Sequence, residues 1–211
     1  MKKKLFCFDL DDTLVDEDYW FRARWQETFK IYKDVFKPII IKDFFEIYDL
    51  KGPYYKFHLQ DLSLVHNEIS IFQEKILITF KSVKVNESLF AGVSVALETL
   101  SLIPDSKMGI VSNGNYNVVI KRLESLKIYN LFDIIICDSY MKKPNNQSFL
   151  TISKNYKDYD LFFIGNDIKL DIIPARENGF EAFLFVKDKI NHNSQYNCFF
   201  DYFSFPNQFL S

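Results

Sequence analysis

The feature that most constrains this chain is Leu5-Phe6-Cys7-Phe8 running straight into Asp9-Leu10-Asp11-Asp12-Thr13. Four consecutive apolar residues, rich in aromatics, fit a strand buried on both faces, the pattern of a parallel sheet covered by helices on each side. Ligands of such open sheets bind beyond the carboxyl ends of the strands, so Asp9 and Asp11 fall at the rim where chemistry is done. Alternation sends both carboxylates to one side and Leu10 to the other. Neighbouring carboxylates repel, and they coexist as anions only with a cation between them or with one of them protonated. Taken alone, Asp11-Asp12-Thr13 is also a polar turn able to cap a helix.

After this strand, residues 16–86 read as helical. The apolar spacing predicts helices over Asp18 to about Phe36, Ile40 to Leu50, Tyr54 to Val65 and Glu68 to about Val83, broken at Pro38 and at Gly52-Pro53. From Phe90 the rhythm changes. Helices over Val93–Ile103, Tyr116–Leu126, Asn146–Asn155 and Leu170–Asn178 alternate with strands over Lys107–Ser112, Phe132–Cys137, Leu161–Gly165 and Glu181–Val186. That alternation predicts an α/β fold, a doubly wound parallel sheet with right-handed crossovers. The helical bundle is then an insert, giving one domain from 1–15 with 87–211 and a second from 16–86. The tail beyond Ile190 is rich in aromatics, and Cys198 to Phe203 fits a short edge strand packed on its own core.

A net charge of −2 and a pI near 5.9 supply no broad field, which argues against nucleic acid or an anionic membrane surface as partner and leaves a small molecule. The three cysteines Cys7, Cys137 and Cys198 are odd in number and lack metal-type spacing, as expected of a reduced protein. Lys2-Lys3-Lys4 resembles the basic start of a signal peptide, but the apolar run behind it stops at Asp9, short of the roughly 7–15 residues needed. No stretch approaches the ~18 apolar residues of a membrane span. A cytoplasmic protein, monomer or homodimer, is expected.

Three further strand ends carry chemistry. Gly109-Ile110-Val111 leads into Ser112-Asn113-Gly114, where a hydroxyl and free backbone N–H groups ahead of a helix outline an anion site. Lys142-Lys143-Pro144 follows the third predicted strand, and the proline biases Lys143 toward an extended conformation along the rim. Leu161 to Gly165 runs into Asn166-Asp167, with Asp171 four residues further on. All these candidate metal ligands are oxygen donors, which suit Mg²⁺ better than Zn²⁺. Each segment has a plain alternative as turn, solvated loop or helix cap.

Together the four segments resemble, in order and spacing, the motifs of the haloacid dehalogenase superfamily, from about Lys4 to Val186. The resemblance implies a Rossmann-like core with a helical cap between the first and second motifs. It implies Asp9 as nucleophile, Asp11 as general acid and base, Ser112, Lys143 and groups near Asn113 as phosphate-binding residues, and Lys143 as part of the catalytic set. The metal ligands would be Asp9, Asp11 through its carbonyl, and the fourth-motif residues Asn166, Asp167 and Asp171. The family usually has Gly-Asp where this chain has Gly165-Asn166, and Asp167 is favoured as direct ligand because it is charged. The activity implied is Mg²⁺-dependent hydrolysis of a small phosphomonoester, a sugar, nucleotide or amino-alcohol phosphate, through an aspartyl phosphate. A dehalogenase would lack Asp11, which also argues against a phosphonatase; a phosphomutase would keep every motif. A non-catalytic phosphometabolite-binding protein would be expected to lose Asp9 or Asp11, and both are present. Arg22, Arg24, Lys56 and His58 lie in the insert within reach of a substrate, with none favoured.

Overall fold

A computed structural model describes residues 2–52, 57–137, 142–187 and 195–210. The apolar run at the start forms β1 (Lys3–Phe8), which is central because both faces of its strand are hydrophobic. It pairs in parallel with β2 (Ser106–Val111) on one side and β4 (Tyr159–Gly165) on the other, Cys7 standing opposite Gly109 and Phe163. With β3 (Ile134–Ile136), β5 (Glu181–Phe185) and β6 (Asn197–Phe199) the sheet has six strands, all parallel, in the order β3-β2-β1-β4-β5-β6. This is the α/β, Rossmann-like architecture expected from the alternation of strands and helices.

Phe6 and Phe8 enter one core layer with Leu97, Ile110, Val119 and Phe183, while Leu5 and Cys7 enter the opposite layer with Val111, Phe149, Phe163 and Phe180. The aromatic tail completes the first layer. Phe209 packs 4.9 Å from Phe6 and 5.0 Å from Phe162, and Tyr202 lies 4.9 Å from Phe185. The tail strand proves shorter than the expected Cys198–Phe203, since only Asn197–Phe199 pairs, before the chain bends so that Tyr202 and Phe205 turn inward.

The chain divides into two compact units, residues 1–16 with 88–211 and residues 17–87. In the first, the strand end and the returning segment are tied to each other. Val15 bridges Leu89, and Phe90 N donates to the Leu14 carbonyl at 2.9 Å. Gly92, with φ +84, opens the helix that follows, and the ring of Phe203 lies 2.9 Å from where a Cβ would stand, so a side chain there would be both strained and crowded.

The second unit consists of α1 (Glu17–Ile31), α2 (Pro38–Lys51), α3 (His58–Val65) and α4 (Ile69–Ser82) around Trp25, Phe29, Phe44, Tyr48 and Leu62. The first helix stops at Ile31, short of the expected Phe36, because the chain turns to bring Phe36 back against Phe29 and Tyr32. The expected start of the third helix, at Tyr54, lies outside the described residues, as does Lys56. Arg22 pairs with Asp49 over the Tyr48 ring, and Arg24 lies between Trp20 and Phe80 with its Nη2 on the Lys81 carbonyl. His58 is buried and stacked on Tyr48. Among the described residues no helix is long and apolar enough to cross a membrane.

Candidate active site

Because β1 and β4 are adjacent, parallel and in register, their carboxyl ends bring residues 9–13 beside residues 165–171. Asp9 continues the ladder, its N–H donating to the Ile164 carbonyl at 2.9 Å, so its side chain is fixed by a central strand and not by a loop. The chain then turns back. Asp12 takes a left-handed φ of 52, and the amides of Leu14 and Val15 both reach the Leu10 carbonyl at 3.0 Å. That turn returns Thr13 to Asp9, where its Oγ1 lies 3.2 Å from Asp9 Oδ2 and 3.2 Å from the amide oxygen of Asn166.

The other Asp9 oxygen faces a cation. Lys143 Nζ stands 2.5 Å from Asp9 Oδ1 and 2.5 Å from Asp171 Oδ1, and all three side chains are buried. Its position is set through the main chain, since Asn113 accepts from Lys143 N at 2.7 Å and donates to the Lys143 carbonyl at 3.1 Å. Asp171 is held from its other end, Oδ2 accepting from the amides of Asn166 and Asp167 at 3.2 and 3.1 Å. Only glycine fits at 165, where a Cβ would lie 2.5 Å from that same oxygen.

This buried triad carries two acids and one base, so its charges do not cancel. Burial outweighs the attraction of Lys143 and, with Asp171 adding repulsion, pushes the Asp9 carboxyl up to about 7. Burial disfavours the Lys143 ammonium, but Asp9 and Asp171 prevail and hold its pKa above the ordinary lysine value. Cys137 is pushed up to about 11 by burial, and Cys7 is also raised by burial, so neither thiol is poised to react.

The remaining site candidates are placed differently from one another. Ser112 directly follows β2, its Oγ accepting from Gly114 N at 3.1 Å. The Asn113 amide is committed to the Lys143 main chain. Asp167 is engaged locally, its Oδ1 accepting from Lys169 N and Leu170 N at 2.7 and 2.8 Å and capping a π-helical turn over Ile168–Ile172. This wide turn stands where the start of a single helix, Leu170–Asn178, was expected; the α-helical part covers only Ile173–Glu177. Asp11 is half-buried at the rim and pairs with Arg122, Nη2 to Oδ1 at 2.6 Å.

Two residues not singled out from sequence bear on the site: Arg122, and Tyr202, whose hydroxyl donates to the Thr13 carbonyl at 2.8 Å. Arg122 and Tyr202 lie 111 and 189 residues from their partners, and nothing local in the sequence signals either contact.

Among the described residues no group of three or more His, Cys, Asp or Glu is arranged to hold a metal. The donors near Asp9 are nevertheless all oxygens, and Mg²⁺ commonly keeps several waters and takes only one or two carboxylates from the protein. The residues therefore fit Mg²⁺ and not a metal that needs sulfur or nitrogen ligands.

Residues 6–185 match the family model described as haloacid dehalogenase-like hydrolase. No curated protein matches at a significant level. Among solved structures, a Thermotoga maritima protein assigned as a beta-phosphoglucomutase superposes with a TM-score of 0.69 at 14% identity, covering 98% of each chain. The Bacillus subtilis hydrolase YfnB, described as bound to magnesium, gives 0.59 at 16% identity over 92% of this chain and 93% of its own. A Haemophilus somnus protein assigned as a phosphoglycolate phosphatase gives 0.62 at 17% identity over 99% of both chains. At these identities the likeness is one of fold.

Proposed function

Since this chain belongs to the haloacid dehalogenase-like hydrolases, we propose that it is a phosphatase acting on a small phosphomonoester. The observation that carries the proposal is a buried carboxylate, Asp9, at the end of the central strand, ion-paired through one oxygen with Lys143, with a second carboxyl, Asp11, half-buried at the rim two residues on. A buried acid held beside a cation is a nucleophile for phosphorus, and a rim carboxyl is placed to exchange protons with a leaving group.

Asp9 attacks phosphorus and the bond to the ester oxygen breaks, leaving an aspartyl phosphate. Asp11 gives its proton to the departing oxygen, then takes one from the water that hydrolyses the acyl phosphate. Lys143 and Ser112, with the backbone amides near Asn113, neutralise and orient the non-reacting oxygens. The Asn113 side chain serves by holding the Lys143 main chain, and Asp171 by holding Lys143. Mg²⁺, when bound, would offset the repulsion between an anionic nucleophile and an anionic ester. It would be held by Asp9, the Asp11 carbonyl and a fourth-motif residue. Charge favours Asp167 for that last position, but its carboxylate caps the π-helical turn while the Asn166 oxygen shares Thr13 with Asp9, so we assign the position to Asn166.

In this reading residues 1–15 with 87–211 are the catalytic core and 16–86 a helical cap, and the protein works as a cytoplasmic monomer or homodimer. The test is a panel of sugar, nucleotide and amino-alcohol phosphates assayed for phosphate release with Mg²⁺ and with EDTA. Release of inorganic phosphate that disappears in Asp9→Asn is expected. Isomerised ester without phosphate release would replace hydrolysis by a mutase, and no reaction on any ester would overturn the proposal.

A further inference from the structure

We infer that Arg122 is a positioning residue for Asp11, fixing the one carboxyl that must exchange protons with the substrate; this rests on the phosphatase reading. The helix Tyr116–Ser125 is capped by Asn115, whose Oδ1 accepts from Asn117 N at 3.1 Å, and it projects Arg122 from its last turn toward the end of β1. The guanidinium reaches Asp11 across 111 residues of sequence, Nη2 to Oδ1 at 2.6 Å, with 17% and 31% of the two side chains exposed. A fully solvated pair would fix little. This one is mostly enclosed, and a planar guanidinium holds a carboxylate in one orientation more firmly than a flexible ammonium does.

The consequence follows from how the two acids are held. Asp9 is locked by Lys143, Thr13 and the strand ladder, while Asp11 lies two residues beyond Asp9, in the turn where its main chain bridges Val15, and precedes the left-handed Asp12. Among the described residues, the Asp11 side chain thus takes its orientation from Arg122. With Oδ1 taken by Arg122, Oδ2 is the oxygen left to hold the proton for the departing alkoxide. When the ester P–O bond breaks, that proton passes to the leaving oxygen, and the carboxylate formed on Asp11 remains paired with the guanidinium.

Because proton donation matters for an alkyl leaving group and little for p-nitrophenol, misplacing Asp11 has a signature that general damage to the fold lacks. In rapid-quench measurements of the first turnover, Arg122→Gln is expected to slow phosphorylation by an alkyl phosphate by about 10- to 100-fold, and by p-nitrophenyl phosphate by less than about 3-fold. Arg122→Lys should recover part of the loss. In an Asp11→Asn background the Arg122→Gln effect should disappear, since a residue acting through Asp11 has nothing left to act on. Equal losses on both substrates, no loss on either, or a loss that persists in the Asp11→Asn background would overturn the assignment.

A second readout needs no turnover. Crystals of the wild type and of Arg122→Gln, each with Mg²⁺ and beryllium fluoride as aspartyl-phosphate mimic, should show the Asp11 carboxyl in one orientation in the former and in several in the latter. An unchanged, single orientation in the variant would also overturn the inference. Absence of phosphate release by the wild type would instead count against the phosphatase reading and leave this measurement standing.

Discussion

Asp9→Asn should make the metal-free protein more stable while abolishing turnover, and the size of the gain follows from the burial of Asp9. The carboxyl ordinarily titrates near 3.8 and in the folded chain near 7, with burial as the main cause. Between those values the folded chain holds a proton that the unfolded chain has lost. Stability therefore falls as pH rises through that window and is flat above it. Integrated to neutral pH this is roughly 4 kcal/mol, an upper figure because an asparagine makes poorer contacts with Lys143 than a carboxylate does. For a domain of this size it corresponds to a rise in Tm of roughly 8–16 °C at most. The assay is thermal unfolding of both proteins in EDTA from pH 4.5 to 8.5. The difference should be small at the acid end, widen with pH and level off above about 7. A variant no more stable than the wild type at pH 8, or a difference that does not change with pH, would show that Lys143 outweighs burial and that Asp9 is not held at a cost.

The remaining expectations concern the metal, the acid and the tail. Phosphate release should stop in EDTA and return with Mg²⁺; full activity without metal would refute the oxygen-donor reading. Asn166→Asp should lower the Mg²⁺ concentration needed for half-maximal rate by adding a charged donor, while Asp167→Asn should change it little; the reverse ranking in metal titrations would return the ligand position to Asp167. Asp11→Asn should cost roughly 10²–10⁴ in phosphorylation rate with alkyl phosphates and much less with p-nitrophenyl phosphate, and equal losses would remove Asp11 as general acid. Tyr202→Phe leaves the buried Thr13 carbonyl without its donor and should cost about 1–3 kcal/mol in urea unfolding; an unchanged midpoint would mean that the carbonyl finds another partner.

What the sequence made legible was whatever it encodes locally. β1 could be read because burial on both faces writes itself as an unbroken apolar run, and the doubly wound sheet because strand and helix periods differ along the chain. Single carboxylates at strand ends could be singled out because such acids have few other reasons to follow so apolar a strand. Orientation was not legible. Asn166 and Asp167 are adjacent, and charge alone ranks the aspartate first. Which one meets Thr13, the partner of Asp9, depends on the Ile168–Ile172 turn, where the amides of Lys169 and Leu170 claim Asp167 Oδ1 while the Asn166 side chain meets Thr13. The same limit hid Arg122 and Tyr202, since each acts on the first loop from more than a hundred residues away. Tyr202 also lies beyond residue 185, where the family match ends, so its grip on Thr13 is supplied by the tail of this chain. Asp9 and Asp11 thus follow the strand that organises the sheet, whereas Arg122, which pairs with Asp11, and Tyr202, which holds Thr13, come from a helix and a tail outside the four segments. Substitutions at Arg122 and Tyr202 should for that reason alter the site without touching any of the four motif segments.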